Sequence, residues 1–207
     1  MMGPEFVAIW IAWLLAGGSP GPATMGIAGT AMSAGRASAL AFATGILAGS
    51  ASWGIAAALG LSAIMLTHVW VFEVIRYVGV AYLAWLAFKA LKSAWQGGDT
   101  AVGTPFSGSA RSLFLKGAAI HITNPKAILS WGSIYAIALP ADAQPAAVFQ
   151  CFAYLYAGSI LIFIGYALLF SSARVVTVYR KARRWFELAF AGFFGVASYK
   201  ILTARLQ

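Results

Sequence analysis

Long segments without a formal charge constrain the fold of this chain more than any other feature of its sequence. No Asp, Glu, Lys or Arg occurs in residues 6–35, 37–72 or 143–173. A helix needs about 20 mainly apolar residues to cross the roughly 30 Å hydrocarbon core of a bilayer. Only 9% of all residues are charged, whereas a soluble domain carries about 25%. The sequence therefore predicts an all-α, polytopic membrane protein.

Six transmembrane helices account for the apolar segments, at residues 6–34, 39–66, 69–91, 112–138, 146–170 and 185–204. In that arrangement ten of the 14 Lys and Arg lie on the side of the loops that follow odd-numbered spans, three lie on the other side, and Lys126 falls within a span. Cytoplasmic loops carry an excess of basic residues, so both termini are predicted outside, in the periplasm. Anionic lipid accounts for basic residues beside the spans, so the net charge of +9 does not indicate nucleic-acid binding.

A polar linker divides the chain into two halves of three spans each. Residues 93–110, "SAWQGGDTAVGTPFSGSA", are rich in Gly, Ser and Thr and are predicted to be a cytoplasmic linker between a repeat at 1–92 and a repeat at 111–207. Both repeats open with a span that contains an internal proline, and they close on the similar segments "VGVAYLAWLAFKAL" and "FGVASYKILTARL". Because three is an odd number, the repeats must run in opposite directions. This inverted-repeat arrangement is common among secondary transporters.

The prolines that interrupt the first and fourth spans occur in "SPGP", residues 19–22, and "TNPK", residues 123–126. Proline removes a backbone N–H and clashes with the preceding turn, so each motif is predicted to break its helix near the middle. Irregular backbone at that depth is tolerated only where it is buried in protein or lines a wet cavity. A plain kink is the alternative for either break alone. Two breaks in corresponding positions favour a shared solute cavity at the midplane.

The residues at the breaks are typical of helix starts. Pro22 suits the first turn of a new half-helix, and Asn124 followed by Pro125 is a strong N-cap combination. Both half-helices are therefore expected to present free N–H groups and positive dipole ends, which can bind a carboxylate. The predicted solute-binding residues are Ser19, Pro20, Gly21, Pro22, Thr24, Asn124, Pro125 and Lys126.

Two interpretations are open for Lys126, for His121 and for the pair Gly45 and Gly49. Lys126 is costly at mid-membrane; it could attract a carboxylate or hold a carbonyl of the opposite break, or it could be a structural lysine bonded to backbone oxygens. His121, four residues before Pro125, could carry a proton or be a hydrogen-bonded core residue. Gly45 and Gly49 are predicted to allow close helix packing rather than to contact solute.

An enzyme is not predicted, because the chain offers no nucleophile–base pair and no ligand set for a catalytic metal. It contains two His, one Cys and five acidic residues. The single Cys151 excludes an internal disulfide and is expected to pack as a small apolar side chain. No cofactor and no metal are therefore expected. The expected partners are a small solute and the lipid bilayer, and a homo-oligomer is left open.

Several segments of the chain resemble the LysE/RhtB superfamily of amino-acid exporters. The resemblance is carried by "SPGP", "AGRASALAFATG", "WGIAAALGLSAI", "GVAYLAW" and "NPKA", and it covers nearly the whole chain. It implies a six-span inner-membrane protein that exports amino acids or related small solutes, driven by the proton gradient. It also implies that the residues of the two proline motifs form the functional core.

One departure from that family bears on the solute and the coupling ion. Gly45 and Gly49 form a GxxxG-like pair in the second span. Many family members have an acidic residue directly after the second of these glycines, where this chain has Ser50. No carboxylate is expected deep in a span, because Glu73 and Glu187 lie near the ends of predicted spans. A neutral, zwitterionic solute is therefore favoured over a dibasic one, and His121 and Ser50 are the candidates for coupling. A passive channel or facilitator is the alternative function.

Overall fold

The structure is a computed structural model that describes residues 4–65, 69–96, 105–140 and 143–203. Those ranges contain seven α-helices and no strand, which confirms the all-α prediction. The helices are α1 (Pro4–Gly18), α2 (Pro22–Met65), α3 (Val69–Gln96), α4 (Ala110–Ile122), α5 (Pro125–Ala138), α6 (Pro145–Leu169) and α7 (Ala173–Thr203). By length and composition, two described segments, Pro22–Gly60 and Pro145–Leu169, are apolar enough to cross a membrane. The count of six spans and the inverted relation of the halves stay predictions.

Helix α2 consists of two arms that reverse direction at Gly35. This residue has φ 79° and ψ −179°, a conformation that residues with a side chain rarely adopt. A Cβ atom built on Gly26 would lie 2.8 Å from the ring of Phe42. In one straight helix these residues would be about 24 Å apart. The arms at 22–34 and 36–65 therefore pack side by side, as expected for parts of two successive spans.

Both predicted breaks are present. Helix α1 ends at Gly18 and α2 begins at Pro22, while α4 ends at Ile122 and α5 begins at Pro125. After each break the next helix therefore begins at a proline. A backbone N–H at the first position of a helix has no acceptor within the helix, so proline loses no helical hydrogen bond there.

The prediction for the last helix was wrong at its start. Helix α7 begins at Ala173 rather than near residue 185, so the basic segment at 174–184 is helical and not a loop. Hydropathy detects only the apolar part of a helix, whereas Arg and Lys are good helix formers. As a consequence Glu187 lies near the middle of α7 and not near a helix end. The side chain of Glu73 lies outside the described residues.

Residues 93–96, at the start of the predicted linker, are helical and belong to α3. Residues 97–104 lie outside the described part of the chain. After them, Phe106 stacks on Phe42 with ring centroids 4.9 Å apart, and its backbone N–H donates to the Thr30 hydroxyl at 3.2 Å. The last part of the linker is thus packed against both arms of α2.

Close packing between α2 and α4 depends on glycine. A Cβ on Gly45 would overlap the carbonyl oxygen of Phe114, and a Cβ on Gly117 would overlap that of Phe42. At Gly49 it would lie 3.0 Å from the Cβ of His121. The predicted packing role of Gly45 and Gly49 is therefore confirmed. Helix α2 also packs on α6, while α3 packs on α7 and α5.

Candidate functional site

The two breaks lie side by side and are joined by Lys126. Its ammonium group donates to the carbonyl oxygen of Ser19 at 2.9 Å and also to the Ser19 hydroxyl. These residues are 107 positions apart in sequence. This hydrogen bond is the predicted contact between Lys126 and a backbone carbonyl of the opposite break. It brings the ends of α1, α2, α4 and α5 to one place.

At the first break, buried hydroxyl groups organise the backbone. The hydroxyl of Thr24 accepts a hydrogen bond from the N–H of Gly21 at 3.0 Å and lies 3.3 Å from the Ser19 carbonyl oxygen. The hydroxyl of Ser19 donates to the carbonyl of Ala16 at 2.8 Å. Its oxygen therefore keeps lone pairs that can accept from Lys126. Ser19 and Thr24 are thus parts of the local backbone structure as well as of the site.

At the second break, Asn124 caps α5 as predicted. Its Oδ1 accepts from the backbone N–H of Lys126 at 3.0 Å, and its carbonyl accepts from the N–H of Ala127 at 2.9 Å. The first-turn donors of α5 are thereby used. At the first break the N–H groups of Ala23 and Thr24 have no acceptor within the described residues. The expectation of two helices with free N–H groups therefore holds for α2 but not for α5.

A cavity of about 900 Å³ lies between the two breaks, one face of α3 and α7. Its volume is near the top of the range of about 300–1,000 Å³ that is common for small-molecule sites. Seven of the eight predicted solute-binding residues line it, and Thr24 does not. The lining residues are Ser19, Pro20, Gly21, Pro22, Met25, Val78, Tyr82, Trp85, Leu86, Lys89, Ala90, Ser93, Asn124, Pro125, Lys126, Leu129, Arg183, Glu187 and Phe194.

Charged groups of both signs lie in the wall of this large cavity. The ammonium group of Lys89 is 4.6 Å above the ring of Trp85, which is a cation–π contact. On α7, one carboxylate oxygen of Glu187 accepts from the Ser93 hydroxyl at 2.9 Å and lies 3.9 Å from Nε of Arg183. Sequence reasoning missed Glu187 because it placed this residue near a span end. The available signal was an acidic residue inside the apolar segment "WFELAF".

A second, smaller cavity of about 40 Å³ lies against the same breaks on the side of α4 and α6. Thr24, Ser50, His121, Asn124 and Lys126 are among its lining residues. At about 10–15 Å³ for one water, it has room for a few waters next to several polar groups. Both coupling candidates are therefore close to Lys126, although neither lines the large cavity.

The two coupling candidates differ in how their polar atoms are paired. The Ser50 hydroxyl accepts from the indole N–H of Trp131 at 3.2 Å. The side chain of His121 is 5% exposed and packs edge-on against Phe163, and its Nδ1 has no hydrogen-bond partner in the described part of the chain. His121 is thus a core residue, but the hydrogen bonds expected of such a residue are not observed. The described residues contain no group of three or more His, Cys, Asp or Glu that could hold a metal ion.

Comparisons with known proteins identify a family and several relatives. The family model described as "LysE type translocator" matches residues 15–205. A threonine efflux protein of Salmonella typhi is 31% identical over 176 residues, which cover 84% of this chain and 85% of that protein. The threonine efflux protein of Escherichia coli (strain K12) is 29% identical over 190 residues, 90% of this chain and 91% of the relative. A leucine efflux protein of Enterobacter sp. (strain 638) is 34% identical over 123 residues, 56% of this chain and 54% of the relative. No solved structure matches the chain.

Proposed function

The chain belongs to the family of LysE type translocators, and we propose that it exports small, neutral amino-acid-like solutes across the inner membrane by proton-coupled secondary transport. The solute site lies where the two proline breaks meet, next to the large cavity. The observation that carries this proposal is the hydrogen bond from Lys126 to Ser19, which joins both breaks at the wall of a cavity large enough for such a solute.

A neutral solute is supported by the charges in the large cavity and by the relatives. Threonine and leucine, which the names of two relatives specify, each carry one ammonium and one carboxylate group at neutral pH. The cavity wall contains the positively charged Lys126 and Lys89 and the negatively charged Glu187. A zwitterion can therefore meet a group of opposite sign at each end.

Proton coupling is supported by the small cavity on the other side of the breaks. Lys126 lines both cavities, and His121 and Ser50 line the small one. Water in the small cavity would place the unpaired Nδ1 of His121 within reach of a hydrogen-bonded path to Lys126. Loss of a proton by Lys126 would remove its charge and weaken its hydrogen bonds to Ser19, and gain of a proton would restore them, which couples protonation to the geometry of the first break.

Efflux from cells loaded in parallel with threonine, leucine and lysine tests this function. We expect saturable export of threonine or leucine against a concentration gradient, and little export of lysine. An uncoupler that abolishes the proton gradient should remove the accumulation outside. Flux that does not saturate and that only follows the gradient would support the alternative of a channel or facilitator. Lysine export as fast as that of threonine would contradict a neutral-solute site.

The orientation of the chain is a separate prediction. We expect single cysteines at Gly3 and Gln207 to react with an impermeant thiol reagent added outside, and one at Thr100 to be protected, after Cys151 is replaced by serine. The reason is the excess of Lys and Arg on the loops assigned to the cytoplasm. A permeant reagent should label all three and serves as the control. Labelling at residue 100 together with protected termini would reverse the assignment.

A further inference from the structure

Glu187 is an acidic residue buried in the wall of the large cavity. Its side chain lies near the middle of α7, and the residue is only 3% exposed. An ionised carboxylate is costly to bury unless it is paired and hydrogen-bonded. The hydrogen-bond partners of this carboxylate therefore show whether the protein alone satisfies both of its oxygens.

The described contacts of Glu187 reach only one of its two oxygens. Oε1 accepts from the hydroxyl of Ser93 at 2.9 Å, and Nε of Arg183 is 3.9 Å away, beyond hydrogen-bond distance. Through Nη2, Arg183 donates to the Ser93 hydroxyl at 3.2 Å. Within the described part of the chain, Oε2 accepts no hydrogen bond. The carboxylate thus retains an acceptor in a cavity wall.

The second break supplies a group of the opposite charge in the wall of the same cavity, because Lys126 provides a positive charge there. The N–H groups of Ala23 and Thr24, which have no acceptor in the described residues, lie at the small cavity instead. A free amino acid carries an ammonium group with three N–H donors and a carboxylate that only accepts. Such a solute is complementary to a cavity with a carboxylate on α7 and the positive charge of Lys126 at the second break.

We infer that Glu187 binds the ammonium group of the solute through Oε2, so that it selects amino acids over the corresponding acids without an amino group. This inference rests on the proposed function. Without the charge of Glu187, the ionic groups of the described cavity wall are Lys89, Lys126 and Arg183. All of these are positive, so the wall would then favour an anion over a zwitterion.

The test compares threonine with 3-hydroxybutyrate, which is threonine without its amino group. Purified full-length protein in detergent is titrated with each compound, and the ligand-dependent shift in thermal unfolding is converted to an apparent Kd. We expect the parent to bind threonine at least about tenfold more tightly, which corresponds to about 1.4 kcal/mol. In Glu187→Gln this preference should vanish or reverse. Leucine and 4-methylpentanoate form a second pair for the same measurement.

Two further variants separate recognition from structure. Ser93→Ala removes the hydrogen bond to Oε1 but leaves the charge, so it should retain the preference for threonine. Glu187→Asp keeps the negative charge on a shorter side chain, so the carboxylate lies farther from the solute. This variant should therefore weaken threonine binding more than 3-hydroxybutyrate binding. This second variant decides the question even if Glu187→Gln does not fold. Equal weakening of both compounds in the Glu187 variants would assign this residue a structural role and overturn the inference.

The parent protein distinguishes failure of this inference from failure of the proposed function. If the parent exports threonine or leucine but binds 3-hydroxybutyrate as tightly as threonine, the inference is wrong and the exporter function stands. If the parent exports no amino acid in the efflux assay, the proposed function fails and the inference falls with it.

Discussion

Replacing Lys126 by methionine is expected to reduce export of threonine or leucine at least about tenfold, with the protein still present in the membrane. Methionine keeps the length of the side chain but cannot donate to the carbonyl and hydroxyl oxygens of Ser19. The bond that joins the two breaks is then lost, together with the positive charge in the wall of both cavities. Removing a charge from a predicted transmembrane span should not impair insertion. Initial efflux rates, normalised to protein in the membrane, measure the effect.

Stability measured on the same Lys126 variant separates the two roles of this residue. Oxygens that lose a buried donor cost about 1–3 kcal/mol, so a lower unfolding temperature with normal export would assign Lys126 a structural role only. Lys116→Met is the matched control. Its ammonium group also donates to a backbone carbonyl, that of Ser107 at 2.8 Å, but at an exposed position outside both cavities. Export at the parent rate by the Lys126 variant would remove this residue from the site.

Replacing Gly45 by alanine is expected to destabilise the protein by up to about 2 kcal/mol. The new Cβ would overlap the backbone carbonyl of Phe114, so α2 and α4 would have to move apart. Overpacking of a close interface, including the backbone shifts that it forces, typically costs about 1–3 kcal/mol. Alanine is the better helix former by about 1 kcal/mol, so the observed loss is the net of two opposed effects. Thermal unfolding in detergent measures it.

A matched substitution on another helix shows whether packing is the cause. A Cβ on Gly165 in α6 has no atom within 4 Å, so Gly165→Ala should leave stability unchanged or raise it slightly. Gly117→Ala should behave like Gly45→Ala, because its Cβ would overlap the carbonyl of Phe42 across the same interface. If Gly45→Ala and Gly165→Ala have equal unfolding temperatures, the close approach of α2 and α4 is not as described.

The local features of the site could be predicted from sequence because they depend on neighbouring residues. A proline prevents the helix from continuing through the break, and Asn124 reaches the backbone N–H of a residue two positions away. The same holds for Gly45 and Gly49, whose spacing places them on one helix face. These effects act over a single turn, so the breaks, the N-cap and the packing glycines are all found where they were expected.

The partners of charged groups were decided by the tertiary structure. Lys126 allowed two interpretations from sequence, and only the packing of α1, α2 and α5 brings it to Ser19, 107 positions away. Glu187 was placed near a span end because hydropathy detects the apolar part of a helix and misses its basic first half. Its position in the cavity wall follows from the full length of α7 and from the packing of α3 against it. Sequence by itself therefore determined where the chain bends and caps, since those energies are local. Only the packed helices determined which charges meet, since a contact between distant residues forms when their helices are held together.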